Sequence, residues 1–93
     1  MSDYHDATLR TILIDWEVGT ITITFELCSE SPQTAKIIMT GIREFSSTRR
    51  FPWGESFFVN NLMRRDEDDG QQLQIEMQSG DVIIVKGEEV LES

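Results

Sequence analysis

Thr20-Ile21-Thr22-Ile23-Thr24-Phe25-Glu26-Leu27 alternates polar and apolar side chains without an error. A period of two, built from β-branched and aromatic residues, belongs to a strand with one buried face. Ile21, Ile23, Phe25 and Leu27 are therefore expected to point inward, and Thr20, Thr22, Thr24 and Glu26 to face water. The preceding stretch, Thr8 to Asp15 or Trp16, reads as the other arm of a hairpin, because a short loop carrying Gly19 separates the two. Glycine accepts the positive φ that such turns use. The first arm is less regular: Leu9 and Leu13 fall on one parity, Ile12, Ile14 and Trp16 on the other. Apolar residues on both faces predict a strand covered on both sides, or one whose bulge switches faces, and in either case a central strand.

Working outward, Cys28 to Gln33 is a turn cluster with Ser29, Ser31 and Pro32. Thr34 to Phe45 reads as a strand broken or bulged at Gly41, with Ala35, Ile37, Met39 and Phe45 on one face. Ser46 to Glu55 is irregular, since Phe51-Pro52-Trp53-Gly54 continues no regular element easily. Ser56 to Met63 is extended, and Asp66 to Gly70 reads as a solvated acidic loop. A second hairpin follows, Leu73 to Gln78 and Val82 to Lys86, turning at Gly80. Glu88 to Ser93 is an acidic tail with a short edge strand at Val90 and Leu91. Short strands with turn signals between them predict an all-β protein: a single small antiparallel sheet of five to six strands, curled or packed as a partial barrel or sandwich.

The chain has 93 residues, enough for one domain spanning 1–93. With 39% hydrophobic residues in a clear pattern it is a folding sequence, not a disordered one. The formal net charge of −9 repels nucleic acid and anionic membrane and favours a basic protein as partner. One cysteine, Cys28, allows no intramolecular disulfide and suits a reducing cytoplasm. Met1 to Asp6 has no basic region followed by an apolar core, so no secretory signal is expected, and no apolar run reaches the roughly 20 residues of a membrane span.

Catalytic constellations are sparse. Nucleophilic catalysis needs a nucleophile, a base within reach and a group that orients the base. His5 is the sole histidine, and its neighbour Asp6 points to the opposite face of an extended chain. Cys28 has no adjacent cation to lower its pKa. Asp66 to Asp69 fails the EF-hand spacing: with Asp66 as the first position, Gly70 falls at the fifth, Gln71 at the sixth and Met77 at the twelfth. No metal ligands, cofactor or enzymatic activity are therefore expected.

The strongest local departure is in residues 43–65. There Arg43, Arg49, Arg50, Arg64 and Arg65 oppose Glu44 and Glu55, a local +3 set against −12 elsewhere. Phe45, Phe51, Trp53, Phe57 and Phe58 lie in the same segment. Interleaved basic and aromatic residues can grip single-stranded nucleic acid, but the remaining charge opposes it. Two other roles fit better: a protein-recognition loop built from Arg49, Arg50, Phe51 and Trp53, or pairing of Arg64 and Arg65 with the acidic loop beside them.

Tyr4-His5-Asp6-Ala7, with Ile14-Asp15-Trp16 as an extension, resembles the aromatic-His-Asp-Ala opening of a diffuse group of small bacterial β-rich proteins, some of which resemble toxin immunity proteins. The resemblance implies a non-enzymatic binding domain, with His5 and Asp6 as motif residues of unassigned role. The functional expectation is thus a small cytoplasmic protein-binding module, of which an immunity-type inhibitor of a basic toxin is a special case. An exposed strand edge also suits a homodimer. The alternative is a small-molecule binder with an apolar cup lined by Trp16, Met39, Trp53 and Met77.

Overall fold

The computed structural model describes residues 7–27, 33–49 and 58–92. Eight strands follow in order: β1 (Thr8–Asp15), β2 (Thr20–Leu27), β3 (Gln33–Thr40), β4 (Glu44–Ser47), β5 (Val59–Glu67), β6 (Gly70–Met77), β7 (Val82–Gly87) and β8 (Glu89–Glu92). They form two antiparallel four-stranded sheets with strand orders β1-β2-β3-β8 and β4-β7-β6-β5. The all-β, antiparallel expectation holds. The single sheet of five to six strands does not.

Two bends account for the difference. β3 and β4 are one extended segment interrupted at Gly41, whose φ is 61°, and β7 and β8 are another, interrupted only at Glu88. The two segments bend side by side and stay hydrogen bonded through the corner: Arg43 N–H donates to the Lys86 carbonyl at 2.8 Å, and Glu88 N–H donates to that of Thr40 at 2.9 Å. Close approach makes the corner depend on Gly87. A Cβ there would lie 2.8 Å from both Met39 Sδ and the Thr40 carbonyl oxygen, closer than van der Waals contact permits. Each long ribbon thus supplies one strand to each sheet, which turns six sequence segments into eight strands.

The alternating patterns place the core between the sheets. Ile21, Ile23, Phe25, Ala35, Ile37, Met39 and Val90 from the first sheet meet Val59, Leu62, Leu73, Ile75, Met77, Ile83 and Val85 from the second in one buried cluster. Burying most of these side chains contributes about 1.5–3 kcal/mol each before conformational entropy is subtracted. Met39 and Met77 fill this interior, so they do not line a cup with Trp16.

Two bulges explain the irregular parities. In β1 the pairing with β2 shifts between Leu9 and Thr11, leaving Arg10 as the extra residue. Leu9, Ile12 and Ile14 then lie opposite Phe25, Ile23 and Ile21, and residues directly opposed in an antiparallel pair share a face. The bulge reading of the first arm is therefore right, but the strand is not central: β1 is the outer strand of its sheet, where bulges are common. In β5 the shift falls between Val59 and Asn61, so Val59 and Leu62 both turn inward while Met63 faces out.

The acidic stretch is also tighter than a solvated loop. β5 runs to Glu67 and β6 begins at Gly70, leaving Asp68 and Asp69 as a two-residue hairpin turn. The pairing expected between this loop and Arg64 and Arg65 is not formed by Arg64, which reaches Glu92 at 3.1 Å. Arg43 takes Asp69 instead, at 2.5 Å. β8 forms at the edge, as the tail of the sequence suggests. Among the described residues no helix is long and apolar enough to cross a membrane.

Candidate functional site

The surface worth examining chemically is the outer edge of β1 and the hairpin tip beyond it. β1 pairs with β2 on one side. On the other, its start is engaged: Thr8 forms an isolated bridge with Phe58, and the Ala7 carbonyl accepts Val59 N–H at 2.9 Å. Among the described residues no further strand pairs with residues 9–15. An unpaired edge leaves backbone N–H and C=O groups directed at solvent, which is a template for another chain.

The turn that follows is locally braced. Gly19 N–H donates to the Asp15 carbonyl at 2.9 Å, and Val18 N–H donates to Asp15 Oδ1 at 3.1 Å. The tip is also tied to the corner between the sheets, because Ile42 N–H donates to the Gly19 carbonyl at 2.9 Å. These bonds fix a turn that projects apolar side chains outward: Trp16 is 89% exposed, Val18 69%, Leu13 65% and Ile14 41%. Ile14 and Trp16 meet half-exposed Phe45 on β4 across one groove, while Leu13, opposite Thr22, lies on the other face of the sheet. Exposed apolar surface of this kind, rimmed by polar groups, marks interaction sites.

Between the tip and β4 lies a groove of about 350 Å³ whose lining includes Ile14, Trp16, Ile42 and Phe45. Asp15 and Glu44 also border it, and exposed Glu17 sits in the same turn. The basic residues nearby are counterbalanced: Arg43 pairs with Asp69 and also donates to the Gly87 carbonyl at 3.5 Å, while Arg10 at the bulge pairs with Glu26. The Arg43 guanidinium, by hydrogen bond and by charge, holds the Asp69 carboxyl below its ordinary 3.8. Asp15, Glu17 and Glu44 outnumber Arg43 and Lys86, the latter directly opposite Glu44 in the β4–β7 pairing, so the formal charge around the groove is negative.

Of the site residues singled out from sequence, Arg49 is the one among the described residues. Arg49 is exposed just past β4 and borders a depression of about 270 Å³ with Leu9, Arg10, Thr48 and Asp81. The buried Asp81 there accepts hydrogen bonds from the hydroxyls of Thr48 at 2.9 Å and Ser79 at 3.0 Å, a brace for the β6–β7 turn. His5, Asp6, Arg50, Phe51 and Trp53 fall outside the described residues. Sequence reasoning missed Leu13, Ile14, Trp16 and Val18 as a surface. A signal is present in the first arm: the bulge brings Leu9, Ile12 and Ile14 onto one face but leaves Leu13 on the other, an apolar residue that is exposed and not covered by a second layer.

No family model and no curated protein matches the chain. Among solved structures, it is similar to the crystal structure of an uncharacterized protein from Neisseria gonorrhoeae, with a TM-score of 0.74 at 16% sequence identity, covering 97% of this chain and 92% of that one. The likeness extends over the whole chain and is one of fold alone.

Proposed function

We propose that this chain is a non-enzymatic binding module whose partner is a protein, met through the outer edge of β1 and the tip at Trp16 and Val18. One observation carries the reading: Leu13 and Ile14 at the end of β1 and Trp16 and Val18 in the braced turn after it, all large or branched apolar residues, stand exposed beside a strand edge that is unpaired among the described residues. Leaving them in water forgoes burial free energy on the order of 1 kcal/mol or more per side chain. A surface kept for a partner accounts for that, since tryptophan is enriched among the residues that dominate interface energetics. The formal charge of −9 favours a basic partner, and inhibition of a basic toxin in the cytoplasm is one role of that form.

Replacing Val18 with a photo-crosslinking phenylalanine derivative in cells that express the protein tests this. A discrete adduct at Val18, absent when the same group replaces Met63 on the outer face of the second sheet, is the expected result. Equal labelling at both positions, or none at Val18, refutes the reading.

A further inference from the structure

We infer that the partner supplies an extended, cationic segment that adds as a fifth strand to the β1 edge, with one apolar side chain seated in the groove between Ile14, Ile42 and Phe45. The inference rests on the protein-binding reading above and names the chemistry of its partner. Three features lead to it independently.

Backbone geometry comes first. Residues 9–15 form the flank of a four-stranded sheet with no strand pairing outside them among the described residues. A chain laid along this flank satisfies those N–H and C=O groups by main-chain hydrogen bonds, whatever its side chains. Shape comes second. The groove of about 350 Å³ opens at the end of this strand, so a segment following β1 delivers alternate side chains toward it. Ile14 lies on the core-facing side of β1, opposite Ile21, yet β4 leaves it partly uncovered. A side chain from the added strand fills that gap.

Charge decides between partners. Asp15 and Glu44 line the groove together with Arg43, exposed Glu17 lies in the adjoining turn, and among the described residues none of the three acids takes part in an ion pair. Arg10 and Arg43 are engaged by Glu26 and Asp69. A second copy of this chain would bring the same acids against these and add another −9 to the assembly. Lysines or arginines alternating with apolar residues match the rim and the groove together.

The probe is a short blocked peptide alternating lysine with valine or isoleucine, titrated into the ¹⁵N-labelled full chain. Amide shifts confined to residues 9–19 and 42–45 are expected, weakening at least about tenfold near 1 M salt, where the screening length is about 3 Å. The same peptide with alternate amides N-methylated should lose binding, because the ladder cannot form. E44K, which reverses rim charge at an exposed position, should weaken binding several-fold with the far-UV spectrum unchanged, and I14K should abolish it.

Equal binding by the N-methylated peptide, shifts scattered over the acidic surface, or no shift at millimolar peptide would each overturn strand addition. A concentration-dependent dimer in sedimentation whose contacts map to β1 would overturn it in favour of a second copy. These results are separable from failure of the broader reading. If the crosslinker at Val18 captures a protein while the peptide does not bind at β1, the partner uses another mode. If the crosslinker captures nothing, the binding-module reading falls as well.

Discussion

β1 and β8 are the two edges of one four-stranded sheet, and they are finished in opposite ways. On β8, Val90 N–H donates to Gln71 Oε1 at 2.8 Å, the Arg64 guanidinium donates to the Val90 carbonyl at 3.5 Å, and the same arginine pairs with Glu92. Side chains from β5 and β6 thus satisfy an edge to which no further strand is added. Among the described residues, β1 has such closure only at Thr8. Beyond it, the edge runs past exposed Leu13 and Ile14 into a turn that displays Trp16 and Val18. Proteins commonly blunt sheet edges with charges or covering elements. Among the described residues the protection is applied to one side of the sheet, and the proposed partner surface is the other.

The sharpest break of the comparison is between two aromatic residues on the same hairpin. Phe25 on β2 is fully buried and supports both edges through the core, so Phe25→Ala is expected to cost about 3–5 kcal/mol in urea unfolding. Trp16→Ala removes an even larger side chain, but from solvent, and should change stability by no more than about 0.5 kcal/mol. It should nonetheless eliminate crosslinking from Val18. A large loss of stability at Trp16 would mean that the tip belongs to the core and the edges do not differ as described.

The closed edge offers the next test. Gln71→Leu keeps side-chain bulk but leaves Val90 N–H without its acceptor, an exchange worth about 1–3 kcal/mol when the donor is shielded from water. Val90 is buried, so its amide should exchange with solvent measurably faster in the variant while the amides of β2 lose protection only in proportion to the global change. Arg64→Ala should cost less, under about 1 kcal/mol, because its pairing with Glu92 is partly exposed. If neither substitution affects Val90, the side-chain closure of β8 is geometric only, and the asymmetry of the sheet weakens with it.

Most of the fold was legible because buried faces impose a period of two. β2, β6 and β7 stand where the alternation places them. What escaped notice was whatever a one-dimensional pattern does not encode. The bend at Gly41 is visible as a break, but its pairing with the break at Glu88 depends on two segments far apart in sequence coming side by side. Likewise, exposure and double burial leave the same mark on a strand, namely apolar residues on both parities. Leu13 and Ile14 carry that mark, and the absence, among the described residues, of a neighbour beyond β1 separates the two meanings. The recognition role expected of Arg50, Phe51 and Trp53 lies outside the described residues and is neither supported nor displaced by the β1 edge.

The smallest expected effect concerns the corner from which β8 departs. Arg43 spans it, donating to the Gly87 carbonyl and to Asp69 in the β5–β6 turn. Because the guanidinium lowers the Asp69 pKa in the folded protein from 3.8, the unfolded chain binds this proton more readily than the folded one. The pair's contribution is therefore complete above pH 3.8 and fades as pH falls through the lower folded value. Asp69 is on the surface, so the contribution is small and screened by salt. Asp69→Asn should cost a little stability at neutral pH and little at pH 3, and about 1 M salt should shrink the difference at neutral pH. Amide exchange adds the discriminating readout: if the corner pin steadies the closed edge, acid should speed exchange at Glu89 and Val90 before it does so at Ile21 or Ile23 in β2. Equal acid sensitivity at the two sites would show that Arg43 holds the hairpin turn alone and that β8 owes its closure to Gln71 and Arg64.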